Sequence, residues 1–381
     1  MIRVVFVLQE PTPYRAPHLA RVAELPELDV TVIYAARTVQ RRDWEIPDAS
    51  DRTIYLRGRS LPATRLLSHD YAVTPGVWSA LTRLRPDVLV IGGWSLMATQ
   101  LAIVWARIHH VPYLLMSDNN LREPRPFWVR AVKRVVLRAI VPQAAGWLVP
   151  GSLGRDHILR YGAVASKTVV FPLTIDVDRT RRLVEERRAR RTQLRSAFGI
   201  PDDGIAVLHV GRLVRQKGID VLVEAVARAR AAVPELHLVI IGSGPEEERL
   251  RVLAAGHKLP VVFAGFRGPE ALLDAYAAAD VFCLLSRRET WGVVVNEAAT
   301  AALPLVLSRN VGASADLLEQ GENGEIIPPG DPDAAATALV RLARDAELRR
   351  RYGLRSAAIA GRWGYGPSVT ALAELIREVV A

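Results

Sequence analysis

Short apolar runs alternate with amphipathic segments along both halves of the chain. In the first half the runs are RVVFVLQ, DVTVIYAA, DVLVIGGW, PYLLMSD and GWLVPG, separated by segments of helical spacing such as RAPHLARVAEL. The second half repeats this rhythm with IAVLHVG, LHLVIIGSG, VVFAGF, DVFCLLS, LPLVLS and GEIIPPGD. Apolar runs of this length predict buried strands, and their alternation with helices predicts βαβ units. The pattern therefore predicts an α/β chain with two doubly wound parallel sheets in series.

The length of the chain divides these elements between two domains. A chain of 381 residues exceeds what one core usually holds. Between the two series of strands, the proline and polar turn residues of VVFPLTIDVDR indicate a hinge. We assign residues 1–172 to an N-terminal domain, 173–200 to the hinge with an arginine-rich helix, and 201–366 to a C-terminal domain. Because ligands bind beyond the carboxyl ends of parallel strands, a site is expected in a cleft between the domains.

Composition excludes several classes of protein. Half of the residues are hydrophobic and 24% are charged, as in globular proteins. The chain has a single cysteine, Cys283, so a disulfide framework is excluded. Because Cys283 lies inside an apolar run, we predict that it is a buried core thiol. MIRVVFVLQEP has too few apolar residues for a signal peptide, so a cytoplasmic location is expected. Val88 to Ala106 carries no charge and has the length of a membrane span, but Gly92 and Gly93 favour a strand, a turn and a buried helix.

Positive charge points to anionic partners. The formal net charge is +10, and such a balance favours polyanions or anionic membrane surfaces. The densest run, DVDRTRRLVEERRARRTQLRSAF at residues 176–198, is open to two interpretations, a solvated helix or a membrane-surface patch. A second basic segment, PFWVRAVKRVVLRAIVPQ, is amphipathic and predicts a helix docked on the first sheet or in contact with lipid. No aromatic residue interleaves with the arginines before Phe198, so nucleic acid is not an expected partner.

The loop GRLVRQKG follows the strand IAVLHV and is the first candidate for chemistry. Gly211 allows a tight turn, and Arg212 and Lys217 then flank a short loop before a well-patterned helix. Two cations beside a helix N-terminus suit a diphosphate. The order of residues is not that of a Walker A loop. Ordinary surface cations in a strand–helix loop are an equally good interpretation of this pattern alone.

Two glutamates flank the Trp-Gly break of ETWGVVVNE. Glu289 should fall in the loop after the strand DVFCLLS and Glu297 in the helix that follows, so both carboxylates are expected at one site. The G-x-G of IIGSGPEEERL, Gly242 and Gly244, lacks the third glycine of a dinucleotide fingerprint and is interpreted as a helix start. D-x-D occurs at 176–178 and at 331–333, where helix capping is a sufficient explanation, and no metal is predicted.

Three motifs follow one another across about residues 205–335, namely GRLxxxKG, ETWGVVVNE and DLLEQGENGEIIPPGD. In this order they resemble the C-terminal half of the family 4 retaining glycosyltransferases of GT-B fold. The resemblance implies transfer of a hexose-type sugar from a UDP- or GDP-sugar to a glycan, lipid-linked or small-molecule acceptor, without metal or other cofactor. It also implies that the last helix, 367–381, crosses back to the first domain. Two alternatives stay open, a nucleotide-sugar epimerase of the same fold and a non-catalytic binder of polyanions or membranes.

The resemblance assigns roles to the candidate residues. It implies that Glu289 binds hydroxyls of the donor sugar and Glu297 those of the ribose. Arg212 and Lys217 would hold the diphosphate and stabilise its charge as the glycosidic bond breaks. Further implied donor contacts are Gly211, Thr290, Trp291, Gly292 and Val293, the last four through backbone, with Phe266 and Arg267 bordering the base.

The first domain departs from the commoner family pattern. LQEPTPYRAPHLARVAEL resembles a subgroup with a P-x-P-Y-R-x-P start, which is associated with surface polysaccharide and glycoconjugate synthesis. Tyr14, Arg15 and His18 are expected at the end of the first strand, facing an acceptor, although rigid packing by the prolines explains the motif as well. Asp118 and Asn119 follow another strand and are candidates for sugar or acceptor contacts, with an Asx turn as the equal alternative.

Overall fold

A computed structural model describes residues 1–37, 52–61, 70–120 and 127–381, with only the backbone for 127–132. The chain divides into two compact units. The first contains the described residues up to Thr174 together with Tyr365–Ala381. The second is Ile175–Gly364.

A seven-stranded parallel sheet forms the core of the first unit, in the order β3-β2-β1-β6-β7-β8-β9. An antiparallel pair, β4 and β5, lies outside this sheet. The strands are β1 (Ile2–Leu8), β2 (Leu28–Tyr34), β3 (Thr53–Tyr55), β4 (Arg59–Leu61), β5 (Tyr71–Val73), β6 (Val88–Gly92), β7 (Tyr113–Met116), β8 (Gly146–Val149) and β9 (Thr168–Val170). The helices are α1 (Arg15–Ala23), α2 (Val77–Leu84), α3 (Met97–Ile108), α4 (Phe127–Ile140) and α5 (Ser152–Leu159).

The second unit is built on a six-stranded parallel sheet in the order β12-β11-β10-β13-β14-β15. Its strands are β10 (Ile205–Val210), β11 (Leu236–Ile241), β12 (Val261–Phe263), β13 (Val281–Leu284), β14 (Leu305–Ser308) and β15 (Gly324–Ile327). Its helices are α6 (Val177–Arg188), α7 (Arg191–Ala197), α8 (Ile219–Ala229), α9 (Glu247–Gly256), α10 (Pro269–Ala278), α11 (Val293–Thr300), α12 (Ser314–Leu317), α13 (Pro332–Arg344) and α14 (Ala346–Ala360).

The last helix, α15 (Tyr365–Val380), packs into the first unit. Its buried residues Leu372, Leu375 and Ile376 share one apolar cluster with Val4 and Phe6 of β1. Removing such side chains from water is the main favourable term in holding a terminal helix in place. The expected return of the C-terminal helix to the first half of the chain is therefore confirmed.

The predicted alternation of strands and helices is confirmed in both units. Residues 88–106 form β6, a turn in which Gly93 has φ of +80°, and most of α3, as expected for a strand, a turn and a buried helix. No helix in the described ranges is both long and apolar enough to cross a membrane. Cys283 is fully buried in β13, and burial raises the pKa of its thiol, which confirms the interpretation as a core thiol.

The arginine-rich segment forms α6 and α7, and several of its arginines hold these helices against α10. The guanidinium of Arg191 donates to the carbonyls of residues 277–279 at the C-terminus of α10, and that of Arg195 to the carbonyl of Ala278. Both also pair with Asp280, at 2.8 and 2.9 Å. Cations at a helix C-terminus satisfy unpaired carbonyls and complement the helix dipole. Arg191 and Arg195 therefore fit neither interpretation of the segment, a solvated helix or a membrane-surface patch, because both bind the end of α10.

Candidate active site

The loop that carries Lys217 is held at the carboxyl end of β10. A short 3₁₀ turn, Arg215–Lys217, precedes Gly218, which has φ of +65° and leads into α8. A Cβ atom on Gly218 would lie 2.1 Å from the carbonyl oxygen of Leu285, so only glycine permits this approach. The end of the β10 loop is thereby brought against the end of β13.

Hydrogen bonds join this loop to the one after β13. The carbonyl of Gln216 accepts from the backbone N–H groups of Arg287 at 2.8 Å and Arg288 at 3.3 Å. The guanidinium of Arg287 forms a bidentate pair with Asp220 of α8, with N···O distances of 2.6 and 2.9 Å. A planar fork of this kind fixes orientation as well as contact. The two loops therefore form one rigid edge.

Glu289 meets Lys217 across this edge. The Lys217 ammonium is paired with the Glu289 carboxylate, and the two side chains are 21% and 16% exposed. A third loop supports Glu289 from behind, because the N–H of Gly312 donates to the Glu289 carbonyl at 3.0 Å. A Cβ atom on Gly312 would lie 1.9 Å from the carbonyl oxygen of Thr290, so the approach of this loop requires glycine.

Trp291 and Gly292 lie immediately before the first residue of α11. Gly292 has φ of +97° and precedes Val293, the first residue of the helix. The side chain of Trp291 is only 2% exposed and donates from Nε1 to the amide oxygen of Asn296 at 3.0 Å, and its ring centroid is 5.4 Å from that of Trp363. Trp291 is thus an anchor of the loop, which leaves backbone as its only means of ligand contact. Thr290 and the partly buried Val293 flank this anchor.

Glu297 lies on α11 and is bonded to a residue that sequence analysis missed. The buried hydroxyl of Tyr276, on α10, donates to Glu297 Oε2 at 2.6 Å. Burial raises the pKa of Glu297 to about 7, and the hydrogen bond from Tyr276 partly offsets this effect. Burial likewise raises the pKa of Tyr276, so the phenol stays protonated. A buried tyrosine hydroxyl usually has a partner, which is the one hint that the run ALLDAYAAAD offered.

The other predicted donor residues are exposed. Arg212 is solvent-exposed, and no carboxylate of the described residues lies within ion-pair distance of it. Phe266 is 68% exposed, and Arg267 beside it is also exposed, in the loop after β12. Gly211, at the end of β10, is partly buried under the stem of Lys217. The structure brings Lys217 and Glu289 into contact, whereas it shows no contact from Arg212 or Arg267 to either.

The G-x-G after β11 is more than a helix start. A Cβ atom on Gly242 would lie 1.9 Å from the carbonyl oxygen of Gly211, and one on Gly244 would lie 2.4 Å from that of Leu213. The N–H of Leu213 donates to the carbonyl of Ser243 at 2.9 Å. Both glycines therefore let the loop after β11 pack directly on the loop that carries Arg212.

A buried histidine lies beneath the same loop and was also missed. His209, in β10, is 0% exposed, and its Nδ1 is 3.1 Å from the carbonyl oxygen of Cys283. A proton on Nδ1 is the arrangement that satisfies this carbonyl. Burial, with the Lys217 charge as a smaller cause, lowers the pKa of His209 to about 4. His209 is therefore a neutral group at neutral pH.

The two D-x-D sequences cap helices. The side chain of Asp176 accepts from the N–H of Arg179 at 3.0 Å, and that of Asp331 from the N–H of Ala334 at 2.9 Å. These bonds confirm the capping interpretation. Within the part of the chain that the structure describes, no group of three or more His, Cys, Asp or Glu side chains is arranged to hold a metal ion.

In the first unit, His18 is enclosed by aromatic rings. It is 0% exposed and stacks on Phe171, with ring centroids 4.0 Å apart, and on Tyr365 of α15 at 4.7 Å. Its Nε2 lies 2.8 Å from the hydroxyl oxygen of Ser368. Burial, assisted by the charge of Arg15, lowers the pKa of His18 to about 3. The sequence led us to expect His18 facing an acceptor, whereas the structure encloses it, with Tyr365 of α15 as part of the cover.

The remaining first-unit candidates form a small polar group beside this aromatic cluster. Arg15 is 6% exposed, and its Nη2 lies 3.3 Å from a carboxylate oxygen of Asp118. The side chain of Asn119 accepts from Lys133 Nζ at 2.7 Å. Tyr14 is the partly exposed residue at the N-terminus of α1. The structure therefore joins Arg15 to Asp118, and places Asn119 in a separate contact.

Comparison with known proteins agrees with this architecture. The family model for glycosyl transferases group 1 matches residues 190–358, and that for a glycosyl transferase 4-like domain matches residues 15–174. The chain is 31% identical over 280 residues to the alpha-D-kanosaminyltransferase of Streptomyces kanamyceticus, across 72% of this chain and 70% of the relative. The chain therefore belongs to the group 1 glycosyltransferases.

Other similarities are more partial. The sulfoquinovosyl transferase of Arabidopsis thaliana is 28% identical over 79% of this chain, which spans 58% of the length of that relative. Among solved structures, the Anabaena protein HepE in complex with UDP matches with a TM-score of 0.75 at 19% identity, over 99% of each chain. The same protein with UDP-glucose bound matches with a TM-score of 0.71. These structural matches show that the fold is that of the GT-B glycosyltransferases.

Proposed function

We propose that this protein is a retaining glycosyltransferase that moves a hexose-type sugar from a UDP- or GDP-sugar to a glycan, lipid-linked or small-molecule acceptor. The observation that carries the proposal is the contact between Lys217 and Glu289 at the carboxyl end of the second sheet. A cation and a carboxylate that share one edge, each less than a quarter exposed, match a ligand with anionic phosphates next to sugar hydroxyls. Glu297 lies eight residues along the chain from Glu289.

In this proposal, different side chains of the second unit bind the diphosphate, the sugar and the ribose of the nucleotide sugar. Lys217 and the exposed Arg212 face the diphosphate, and the N-terminus of α11 adds N–H groups and a favourable dipole. The carboxylate of Glu289 accepts from hydroxyls of the sugar, and that of Glu297 from hydroxyls of the ribose. Backbone of residues 290–293 runs along the sugar and the phosphates, while Phe266 and Arg267 border the base. The UDP-glucose complex of HepE supports this choice of ligand by analogy.

The chemistry follows from where charge develops. Breaking the bond between the anomeric carbon and the phosphate oxygen leaves positive character on the sugar and negative charge on the diphosphate. Preorganised cations lower the barrier of such a step because they need no reorganisation. In this proposal Lys217 and Arg212 supply that stabilisation without a metal ion. The acceptor attacks from the face that the diphosphate leaves, the phosphate takes the acceptor proton, and the configuration at the anomeric carbon is retained.

The acceptor side of the proposal rests on the first unit. Tyr14, Asp118 and Asn119 are partly exposed polar groups after strands β1 and β7, where an acceptor hydroxyl can be bound. The net charge of +10 suits an acceptor or a membrane surface that is anionic. We therefore place the enzyme in surface polysaccharide or glycoconjugate synthesis, in the cytoplasm and at the inner face of the cell membrane.

A thermal-shift panel tests the donor class. The purified protein is heated with UDP, GDP, ADP and their sugars in the presence of EDTA. A ligand at 100 times its Kd stabilises the native state by about 2.7 kcal/mol, so one nucleotide class should raise the melting temperature by several degrees. The rise should disappear in Arg212→Ala and Glu297→Ala and persist in Arg182→Ala, an exposed arginine of α6. No shift with any nucleotide contradicts the proposal.

A further inference from the structure

The hydroxyl of Tyr276 points from one helix to the carboxylate of another. Tyr276 is 0% exposed on α10, and it donates at 2.6 Å to Oε2 of Glu297 on α11. Phe282 lies beside the ring, with centroids 6.3 Å apart and planes tilted by 45°. Because hydrogen bonds are directional, this contact constrains the orientation of the carboxylate as well as its distance.

The carboxylate of Glu297 has no cation to balance it. Among the described residues, no lysine, arginine or histidine lies within ion-pair distance of Glu297. Burial raises the pKa of Glu297, and the hydrogen bond from Tyr276 is the one interaction among these residues that lowers it. Arginines of α6 and α14, two helices that pack against α11, pair with other carboxylates: Arg187 with Glu270 and Asp274, Arg188 with Glu185, and Arg355 with Glu319. Glu297 is partly buried, and in the absence of a cation a hydrogen bond to its charged form is what favours ionisation.

We propose that Tyr276 is a positioning residue for the donor: its hydroxyl holds Oε2 of Glu297 and leaves Oε1 to accept from the ribose of the nucleotide. The inference rests on the proposed function, since it assigns the ribose contact to Glu297. It adds a residue that does not touch the ligand and acts only through the carboxylate.

The consequence is a pH dependence of nucleotide binding. Ionised Glu297 binds ribose, and its protonated form binds it poorly, so affinity falls as the pH drops through the pKa of about 7. Tyr276→Phe removes a donor from the charged form, and hydrogen bonds to charged groups are strong enough to move that pKa upward by about one pH unit. The ionised fraction at pH 7 then falls from about one half to about one tenth. Apparent affinity follows the competent fraction, so it drops about fivefold at pH 7.

Isothermal titration calorimetry with UDP from pH 6 to pH 9 measures this directly. We expect Tyr276→Phe to bind as tightly as the wild type at pH 9, about fivefold more weakly at pH 7, and with its midpoint about one pH unit higher. Glu297→Gln should bind weakly at every pH, and the pH dependence that remains should be that of the terminal phosphate of UDP, which titrates at about pH 6. Tyr352→Phe is the matched control, because Tyr352 is equally buried in the same unit and its hydroxyl contacts Glu325 instead. It should keep the wild-type profile.

Several outcomes overturn the inference. A Tyr276→Phe protein with the wild-type midpoint, or with equal weakening at all pH values, assigns Tyr276 a packing role only. If wild-type protein binds UDP and this profile does not move, the inference fails while the proposed function stands. If wild-type protein binds neither UDP nor GDP at any pH, both fail.

A second measurement covers the case in which the phenylalanine variant does not fold. Protein grown with 3-fluorotyrosine carries a more acidic phenol, which is a stronger donor to Oε2. We expect its UDP-binding midpoint to fall below that of the wild type. The same labelling of Glu297→Gln should leave the pH profile of that variant unchanged. A midpoint that does not fall overturns the inference without any substitution of Tyr276.

Discussion

The polar residues that follow the parallel strands have opposite fates in the two units. In the second, Lys217 and Glu289 meet with 21% and 16% of their side chains exposed, and Arg212, in the same loop as Lys217, is open to solvent. In the first, Arg15 and His18 also follow a strand, but they are 6% and 0% exposed. Position at the end of a parallel strand therefore does not by itself leave a polar side chain accessible to solvent.

The difference arises from what covers each group. In the second unit the loops approach one another through glycines, so they pack backbone on backbone and leave the side chains of Lys217 and Glu289 at the edge. In the first unit, Phe171 and Tyr365 of α15 stack on His18, and Arg15 lies over Phe171 with its guanidinium carbon 5.6 Å from the ring centroid. Backbone packing preserves a polar edge, whereas aromatic packing buries one.

The largest effect is expected at the exposed edge of the second unit. Lys217→Ala should lower the rate of sugar transfer or donor hydrolysis by about 10²–10³, the usual cost of removing one group that stabilises developing negative charge. The melting temperature should change little, because the side chain is partly exposed. Lys258→Ala, at an exposed lysine of the same unit, is the control and should retain the wild-type rate. A rate for Lys217→Ala close to that control would remove Lys217 from the chemistry.

The backbone packing itself can be disrupted by one methyl group. Gly312→Ala places a Cβ atom 1.9 Å from the carbonyl oxygen of Thr290, and the backbone must move to relieve the clash. We expect a loss of about 3 kcal/mol in the free energy of unfolding, measured by urea titration, together with weaker nucleotide binding. Gly256→Ala is the matched control, because open space surrounds that position. Equal stability of the two variants would mean that the loops adjust without cost.

The sequence indicated the surroundings of its candidate residues better in the second unit than in the first, because contacts between residues far apart in the chain leave no local pattern. Lys217 and Glu289 belong to motifs in which a glycine or a cation occupies a defined place after a strand. Tyr276 carries no such local sign, since its partner Glu297 lies on another helix. His18 is covered by Tyr365 and Ser368, about 350 residues further along the chain. A contact of that separation leaves no mark on the pattern around either residue.

Prediction of the secondary-structure elements was limited in a similar way, because short elements leave little pattern in the sequence. Long apolar runs predicted the central strands, whereas the three-residue strands β3 and β9 escaped prediction. Both lie at the edges of their sheet, where one neighbour and partial burial require little apolar sequence. The arginines of α6 and α7 escaped for a related reason, because carbonyls at the end of α10 accept their hydrogen bonds and such acceptors have no signature in the sequence.

Two buried histidines, His18 and His209, make the stability of both units depend on pH. The folded state lowers the pKa of His18 to about 3, while an unfolded histidine titrates near 6.5. The unfolded chain therefore binds a proton first, and stability is lost as the pH falls below about 6.5. Between pH 7 and pH 5 the loss is about 2 kcal/mol for this residue, and His209 in the second unit adds a similar amount.

Urea titrations at the two pH values separate these contributions. His18→Gln should lose about 2 kcal/mol less than the wild type on going from pH 7 to pH 5, whatever its stability at pH 7. His257→Gln, at an exposed histidine, should follow the wild type. An unchanged difference between the two pH values in His18→Gln would mean that the first unit does not keep this histidine neutral.

The smallest effect should separate structure from binding at the aromatic cluster of the first unit. Ser368→Ala removes the hydroxyl that lies 2.8 Å from His18 Nε2 and leaves that nitrogen without its partner. The expected cost is about 1 kcal/mol in the free energy of unfolding, the net value of one such hydrogen bond. Ser79→Ala in the exposed face of α2 should cost less. UDP affinity should be the same in both variants, because the cluster packs α15 and holds no part of the proposed donor site. A loss of UDP affinity in Ser368→Ala alone would show that the two strand-end regions are coupled, and that burial of His18 serves donor binding as well as folding.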